Sequence, residues 1–367
     1  MIRPNEHLLQ IVRIAERMEE RAHAVRLDRN ERVTPFPAPV FREMLAALTP
    51  ESFSAYPDPS PLYRRLSHEL GLPEEFLYLT NGSDAAIRMI FQTYVRPDDV
   101  VVFADPTYAM YDIYSQVFQA KSKTLEYDLD RRLDVAALFR LLESRPRLLA
   151  VANPDQPTGA VLPEETLVEL AKATREAGSL FMVDEAYYPF YPRTVVPLVQ
   201  DYNHLILTRS FSKVGGLAGL RLGYFVAHPS IVQNIQRIRG AHEVNAVAIA
   251  VGSYILDHPE IGEEHIRQVE AGRRVLADVS GELGLGFPEC PTNFQLISFP
   301  GVTDTAGIVA ALKERGYLVK GGFSSQAVRD CIRVTLGAPE VMRGFADALR
   351  AVCTERRGAD FPAGVAE

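Results

Sequence analysis

The sequence predicts an α/β protein, a largely parallel sheet covered on both faces by helices, followed by a smaller α+β unit. Three observations lead there. From about residue 60, helical stretches alternate with short apolar runs: EFLYLTNGS, DVVVFADPTY, SKTLEYD, RLLAVANPDQPTG, SLFMVDEAYY, HLILTRSFSK and LRLGYFVAHP. Near-continuous apolar strands separated by helices are what a parallel sheet buried on both faces requires. After a helical stretch from roughly 230 to 280 the texture changes to NFQLISF, YLVKGG and CIRVTLG, strands spaced by helices in a second unit. Finally, several strands run straight into polar clusters, and open α/β sheets bind ligands just beyond the carboxyl ends of their strands.

Taken in chain order, the first 24 or so residues have helical periodicity. VRLDRNERVTPFPAPV then breaks into proline-rich irregular chain before the helix-like VFREMLAAL. This divides the chain into an arm over residues 1–50 that contributes to the small domain, a large domain over 51–265 and a C-terminal small domain over 266–367. Of the 367 residues 47% are hydrophobic and 23% charged, an ordinary globular balance. The net charge of −8 and the lack of any basic run leave no electrostatic footprint for nucleic acid. Cys290, Cys331 and Cys353 form no CxxC pair and have no histidine at metal-ligand spacing, so neither zinc nor a disulfide framework is expected. No apolar leader core and no stretch near 18 apolar residues is found, so a cytoplasmic location without membrane contact is expected.

The polar clusters carry the chemistry. NGSD, with Gly82, Ser83 and Asp84, sits where a strand turns into a helix; the backbone N–H groups there suit a phosphate, and Ser83 or Asp84 would equally serve as a helix cap. Tyr108 in DPTY follows a proline turn and suits the face of a planar ligand, or simple packing. Asn153 in NPDQPTG either hydrogen-bonds a ligand hydroxyl or shapes its own loop. Asp184 ends the apolar run SLFMV, where an ionised carboxylate is costly without a cationic partner. A protonated pyridine nitrogen or a buried arginine would meet that need, and Tyr187 could reach the same ligand. In SFSKVGGLAGLRLGY, Ser210, Ser212 and Arg221 could hold a phosphate, with the Lys213 amine placed to react with what that phosphate carries.

Together NGSDAAI, DPTY, NPDQPTG, DEAYYPF and SFSKVGGLAGLRLGY resemble the fold type I pyridoxal-phosphate (PLP) aminotransferases, and most of all their histidinol-phosphate branch. The similarity runs from about residue 27 to 345, and the order and spacing of five motifs make it specific. It implies a three-layer αβα large domain. It also implies that Lys213 carries PLP as a Schiff base and shuttles a proton once displaced by the substrate amine. Ser210, Ser212 and Arg221, with the N–H groups near Gly82, Ser83 and Asp84, would bind the cofactor phosphate. Asp184 would keep the ring nitrogen protonated, Asn153 and Tyr187 would bond the ring hydroxyl, and Tyr108 would stack on the ring. Tyr56 in YPDPS would reach the neighbouring subunit's cofactor phosphate, making a homodimer with a composite site.

On the substrate side, Arg333 lies within the strand-like CIRVTLG and needs an anion, from an ion pair or a ligand. The resemblance implies that it holds the substrate carboxylate or phosphate, with Asn30 beside it. The branch carries a second arginine thirteen residues earlier, where this chain has Lys320, a point charge without the planar fork. Arg329 is the other candidate for that contact. Ala85 for glutamate and the altered continuation after Asn30 and Glu31 are further departures, all on the substrate side. The expected reaction is ping-pong amino transfer from an amino acid or phosphorylated amino compound to 2-oxoglutarate. The alternative is PLP-dependent decarboxylation of an O-phosphorylated amino acid. A regulator that kept the fold would need a DNA-binding module, for which the first ~50 residues are too few. Neither GxGxxG nor GxxxxGK[ST] is present.

Overall fold

The computed structural model describes residues 2–12 and 21–356. Part of the helix expected at the amino end falls on residues 13–20, outside that range; the described part has a short 3-10 turn, Glu6–Gln10. Among the described residues the strands are β1 (Val25–Arg26), β2 (Leu77–Thr80), β3 (Val100–Asp105), β4 (Lys121–Glu126), β5 (Leu148–Ala152), β6 (Leu180–Asp184), β7 (Leu205–Ser210), β8 (Gly223–Ala227), β9 (Phe294–Ser298), β10 (Tyr317–Leu318) and β11 (Cys331–Thr335).

Each of the seven apolar runs read from the sequence is a strand of one sheet, in the order β2-β8-β7-β6-β5-β3-β4. The pairings are parallel except those of β8, which runs antiparallel to both β2 and β7. Strands β6, β7 and β8 are buried along almost their whole length because helices cover both faces. One face carries the core of Leu66, Leu149, Phe181, Leu207 and Val226, and the other that of Ile87, Phe91, Tyr111, Met182 and Phe225. In the second unit β9 and β11 pair antiparallel, and Phe299, Ile332, Met342 and Phe345 form its core.

The stretch expected as helix from 230 to 280 is three helices, Pro229–Gln236, Ala246–Asp257 and Pro259–Glu282. Local chemistry sets the breaks. Asn245 caps the second helix by accepting from the Ala248 N–H, and a proline opens the third. The arm belongs to both cores: Leu27 is fully buried in the C-terminal one, and Met44 in the large one. Among the described residues no helix is long and apolar enough to cross a membrane.

Candidate active site

The parallel pairing puts the carboxyl ends of β3, β5, β6 and β7 on one edge of the sheet. Antiparallel β8 starts at that edge, because Gly223 pairs with both Thr80 and Ser210. Ala152 pairs with Asp184, which pairs with Thr208. The clusters after these strands therefore converge, and a cavity of about 320 Å³ is lined by Ser83, Asp84, Tyr108, Asp184, Tyr187, Ser210, Ser212, Lys213 and Arg221.

At one wall, the helix Gly82–Tyr94 starts without a side-chain cap, so its first-turn N–H groups are open to an anion. Asp84 does not cap it; its carboxylate accepts from the hydroxyls of Tyr114 at 3.0 Å and Tyr108 at 3.4 Å. Close packing explains two glycines. A Cβ on Gly82 (φ +77°) would lie 2.6 Å from the Arg221 guanidinium, and one on Gly223 would lie 2.4 Å from the Ser83 nitrogen. Arg221 itself is in the left-handed region (φ +54°), which costs a non-glycine residue about 1–2 kcal/mol. Ser210 Oγ accepts from the Ser212 N–H at 3.0 Å, so the two serines turn together beside that guanidinium.

Asp184 is 5% exposed. Its oxygens accept from the Thr208 hydroxyl (2.8 Å), the Tyr111 hydroxyl (3.2 Å) and the Ala186 N–H (3.2 Å). Burial pushes its carboxyl up to about 6, against the opposing pull of those hydrogen bonds. Of the two partners expected from the sequence, the arginine is not found among the described residues.

Lys213 donates to the backbone carbonyls of Asn30 (3.1 Å) and Arg29 (3.3 Å). Burial, then the nearby Arg333 guanidinium, brings its amine down to about 8. Asn30 is fully buried and lies at φ +56°. Its Nδ2 donates to the Tyr187 hydroxyl at 2.8 Å and to Gln156 Oε1 at 3.1 Å, and the Tyr187 hydroxyl donates to the same oxygen at 2.8 Å.

Asn153 shapes its own loop, the second of the two readings its sequence allowed. Its Oδ1 accepts from the Leu162 N–H at 2.7 Å and its Nδ2 donates to the Leu162 carbonyl at 3.3 Å, so both ends of the amide close their own loop. The amide of NPDQPTG that lines the cavity is Gln156. A second residue missed from sequence is Asp155, 2% exposed, which accepts from the hydroxyls of Thr107 and Thr158 and so ties the DPTY turn to this loop.

Residues 24–349 match the model of the family described as aminotransferase class I and II. The chain belongs to this family. A curated histidinol-phosphate aminotransferase 2 of Nitrosococcus oceani is 31% identical over 95% of this chain and 96% of its own length. Among solved structures, the histidinol-phosphate aminotransferase from Sinorhizobium meliloti in complex with pyridoxal-5'-phosphate has a TM-score of 0.84 at 24% identity, covering 97% of this chain and 98% of its own. An aspartate aminotransferase from Thermus thermophilus with maleate has a TM-score of 0.81 at 19% identity, covering 96% and 100%. Both likenesses fix the fold and leave the substrate open.

An aminotransferase of this class works with PLP, and the residues present fit it. The cavity offers an anion cradle, a nucleophilic amine and a buried carboxylate that makes no salt bridge among the described residues. The remaining expected residues of this aminotransferase lie elsewhere. Arg333 is 6% exposed; Nη2 donates to the Asp28 carbonyl at 2.8 Å, Nε is buried without a partner, and the residue does not line the cavity. Lys320 is paired with Arg333 through the backbone, but its side chain is exposed and, like that of Arg329, off the cavity wall. Tyr56 is 83% exposed and stacks on His242 at 4.2 Å, away from Lys213 in its own chain.

Proposed function

We propose that the protein moves the amino group of a phosphorylated amino compound of the histidinol-phosphate type to a 2-oxo acid, with 2-oxoglutarate as the expected acceptor. One observation carries the reading. The Lys213 amine and the buried Asp184 carboxylate face one cavity beside an anion cradle. The names of the 28–32% identical relatives supply the substrate class.

Bound here, PLP supplies an aldehyde and an electron-withdrawing ring that makes the α-proton of an attached amine labile. Ser210, Ser212, Arg221 and the N–H groups of Gly82 and Ser83 would hold its phosphate, with Tyr108 lining the same cavity. Asp184 would keep a positive charge on the ring nitrogen, since opposite charges attract more strongly in a buried, low-dielectric site than in water. Tyr111 and Thr208 orient that carboxylate.

An amine lowered to about 8 is neutral in on the order of a tenth of molecules at pH 7, against a few in ten thousand for an ordinary lysine. Lys213 can therefore act as a nucleophile and, once displaced, as the base that takes the α-proton. Gln156 and Tyr187, linked through Asn30, present hydrogen-bonding groups to the ring hydroxyl. Tyr56 completes the site of a second subunit in a homodimer of the cytoplasm.

The test is to incubate the purified protein with histidinol phosphate and 2-oxoglutarate. Stoichiometric glutamate supports amino transfer, whereas carbon dioxide from O-phosphorylated amino acids without glutamate would replace it with decarboxylation.

A further inference from the structure

Lys213 opens a four-residue turn, Lys-Val-Gly-Gly, closed by the Gly216 N–H donating to the Lys213 carbonyl at 3.1 Å. Both glycines answer to close packing. A Cβ on Gly215 would lie 2.8 Å from the Phe211 carbonyl oxygen, and one on Gly216 (φ +67°) 2.6 Å from Cδ of Arg32. The same absence of side chains leaves the turn a choice. The peptide between the second and third residues of such a turn can face either way, and the flipped form needs positive φ at the third residue, which glycine takes without steric cost. Gly215 does not have positive φ. The Val214–Gly215 peptide is therefore held in one of two orientations that its sequence allows.

The hold comes from the long helix Pro259–Glu282. Its His265, 2% exposed, places Nδ1 at 3.0 Å from the Val214 carbonyl oxygen. A carbonyl oxygen only accepts, so Nδ1 carries the hydrogen. Burial, then the Arg32 guanidinium, brings the imidazole down to about 4, so the ring is neutral at pH 7 and its hydrogen sits on that one nitrogen. Phe190, from the loop after Asp184, packs its ring at 5.7 Å and nearly perpendicular to the imidazole. Gly262 lets the helix come close: a Cβ there would already be 3.4 Å from Cγ2 of Val214.

We infer that His265 is a positioning residue for Lys213: by donating from Nδ1 to the Val214 carbonyl it fixes the turn that aims the lysine amine into the cavity. The amine then meets the carbonyls of Asn30 and Arg29, to which it donates. A flipped peptide would leave the buried imidazole N–H unpaired and redirect the residue before it. The inference rests on Lys213 as the reactive amine of the amino-transfer reading.

Two variants separate the bond from the packing. His265→Phe keeps a ring against Phe190 and loses the donor, whereas His265→Asn keeps an N–H donor near the place of Nδ1. Ligand-free full-length protein is acetylated with acetic anhydride from about pH 6 to 10, and the reaction at Lys213 is followed by mass mapping. PLP is then added, and its attachment to Lys213 is trapped with borohydride over time. The wild-type midpoint is expected near 8, with the Asn variant beside it. In the Phe variant the midpoint should move up toward the ordinary lysine range, and PLP attachment should slow roughly tenfold. A Phe variant with the wild-type midpoint and rate, or an Asn variant that behaves like Phe, would overturn the assignment. Nitrogen NMR of the wild-type imidazole checks it without a variant: the hydrogen is expected on Nδ1, and finding it on Nε2 would overturn it equally. If PLP attaches to no lysine of the wild type, the amino-transfer reading falls, while the acetylation midpoints still decide the role of His265.

Discussion

At Asp184 a single carboxylate shows how burial creates a binding requirement. Its folded-state value is raised to about 6, above the ordinary 3.8, so this carboxyl binds a proton more readily than it does in the unfolded chain. The stability this contributes is present below pH about 4 and is lost as the pH rises through about 6. A cationic ring nitrogen needs the ionised form. PLP affinity is therefore expected to weaken as the pH falls below about 6, by up to tenfold per unit, relative to Asp184→Asn, in which this dependence is absent. Fluorescence titration with PLP from pH 5 to 8 reads the difference, and parallel pH profiles would refute the role. Asn153 makes a different expectation. Asn153→Ala should cost roughly 1–3 kcal/mol in thermal or denaturant unfolding by leaving the Leu162 backbone unpaired, with PLP affinity retained. Gln156→Ala should lower PLP affinity as well as stability, because the Asn30 amide and the Tyr187 hydroxyl lose their shared acceptor. The sequence identified NPDQPTG as part of the site but not which amide faces the ligand, because that depends on which one the turn consumes. Gln156 offered one signal, a second amide within the same turn.

Among the elements, β8 and the helix Gly82–Tyr94 show what pattern reading reaches and where it stops. Alternating apolar runs and polar clusters were enough to locate all seven strands and the edge that carries the site. They could not reveal that β8 reverses direction, since an antiparallel strand buried on both faces is as apolar as its parallel neighbours. That reversal brings Arg221 to the ligand edge and Gly223 against the Ser83 nitrogen. Gly223→Ala should force backbone apart at this contact. The expected cost is roughly 1–3 kcal/mol of stability, with a weaker grip on PLP because the cradle opens. Unfolding curves together with PLP titration check both, and a variant with wild-type affinity would show that the cradle tolerates displacement.

Across the whole molecule, the arm threads through both hydrophobic cores, anchored by Leu27 in one and Met44 in the other, and carries Asn30 to Lys213 on the way. Sequence alone placed the arm near the small domain from its composition break. Its contact with the lysine is between residues 183 positions apart and has no local signature. Tyr56 belongs to this scale as well, since its ring is 83% exposed and off the wall of the cavity. If its hydroxyl crosses to a partner's cofactor phosphate, Tyr56→Phe should lower PLP retention several-fold on dialysis while sedimentation still reports a dimer. Equal retention would remove the composite site, and a monomeric wild type would remove the interface.

The central claim is that the amine of Lys213 is the covalent anchor of the cofactor. Borohydride reduction of the PLP-loaded protein, followed by proteolysis and mass mapping, should find the pyridoxyl group on the peptide containing Lys213 and none in Lys213→Ala. A label on another lysine, or unchanged labelling of the variant, would contradict the account.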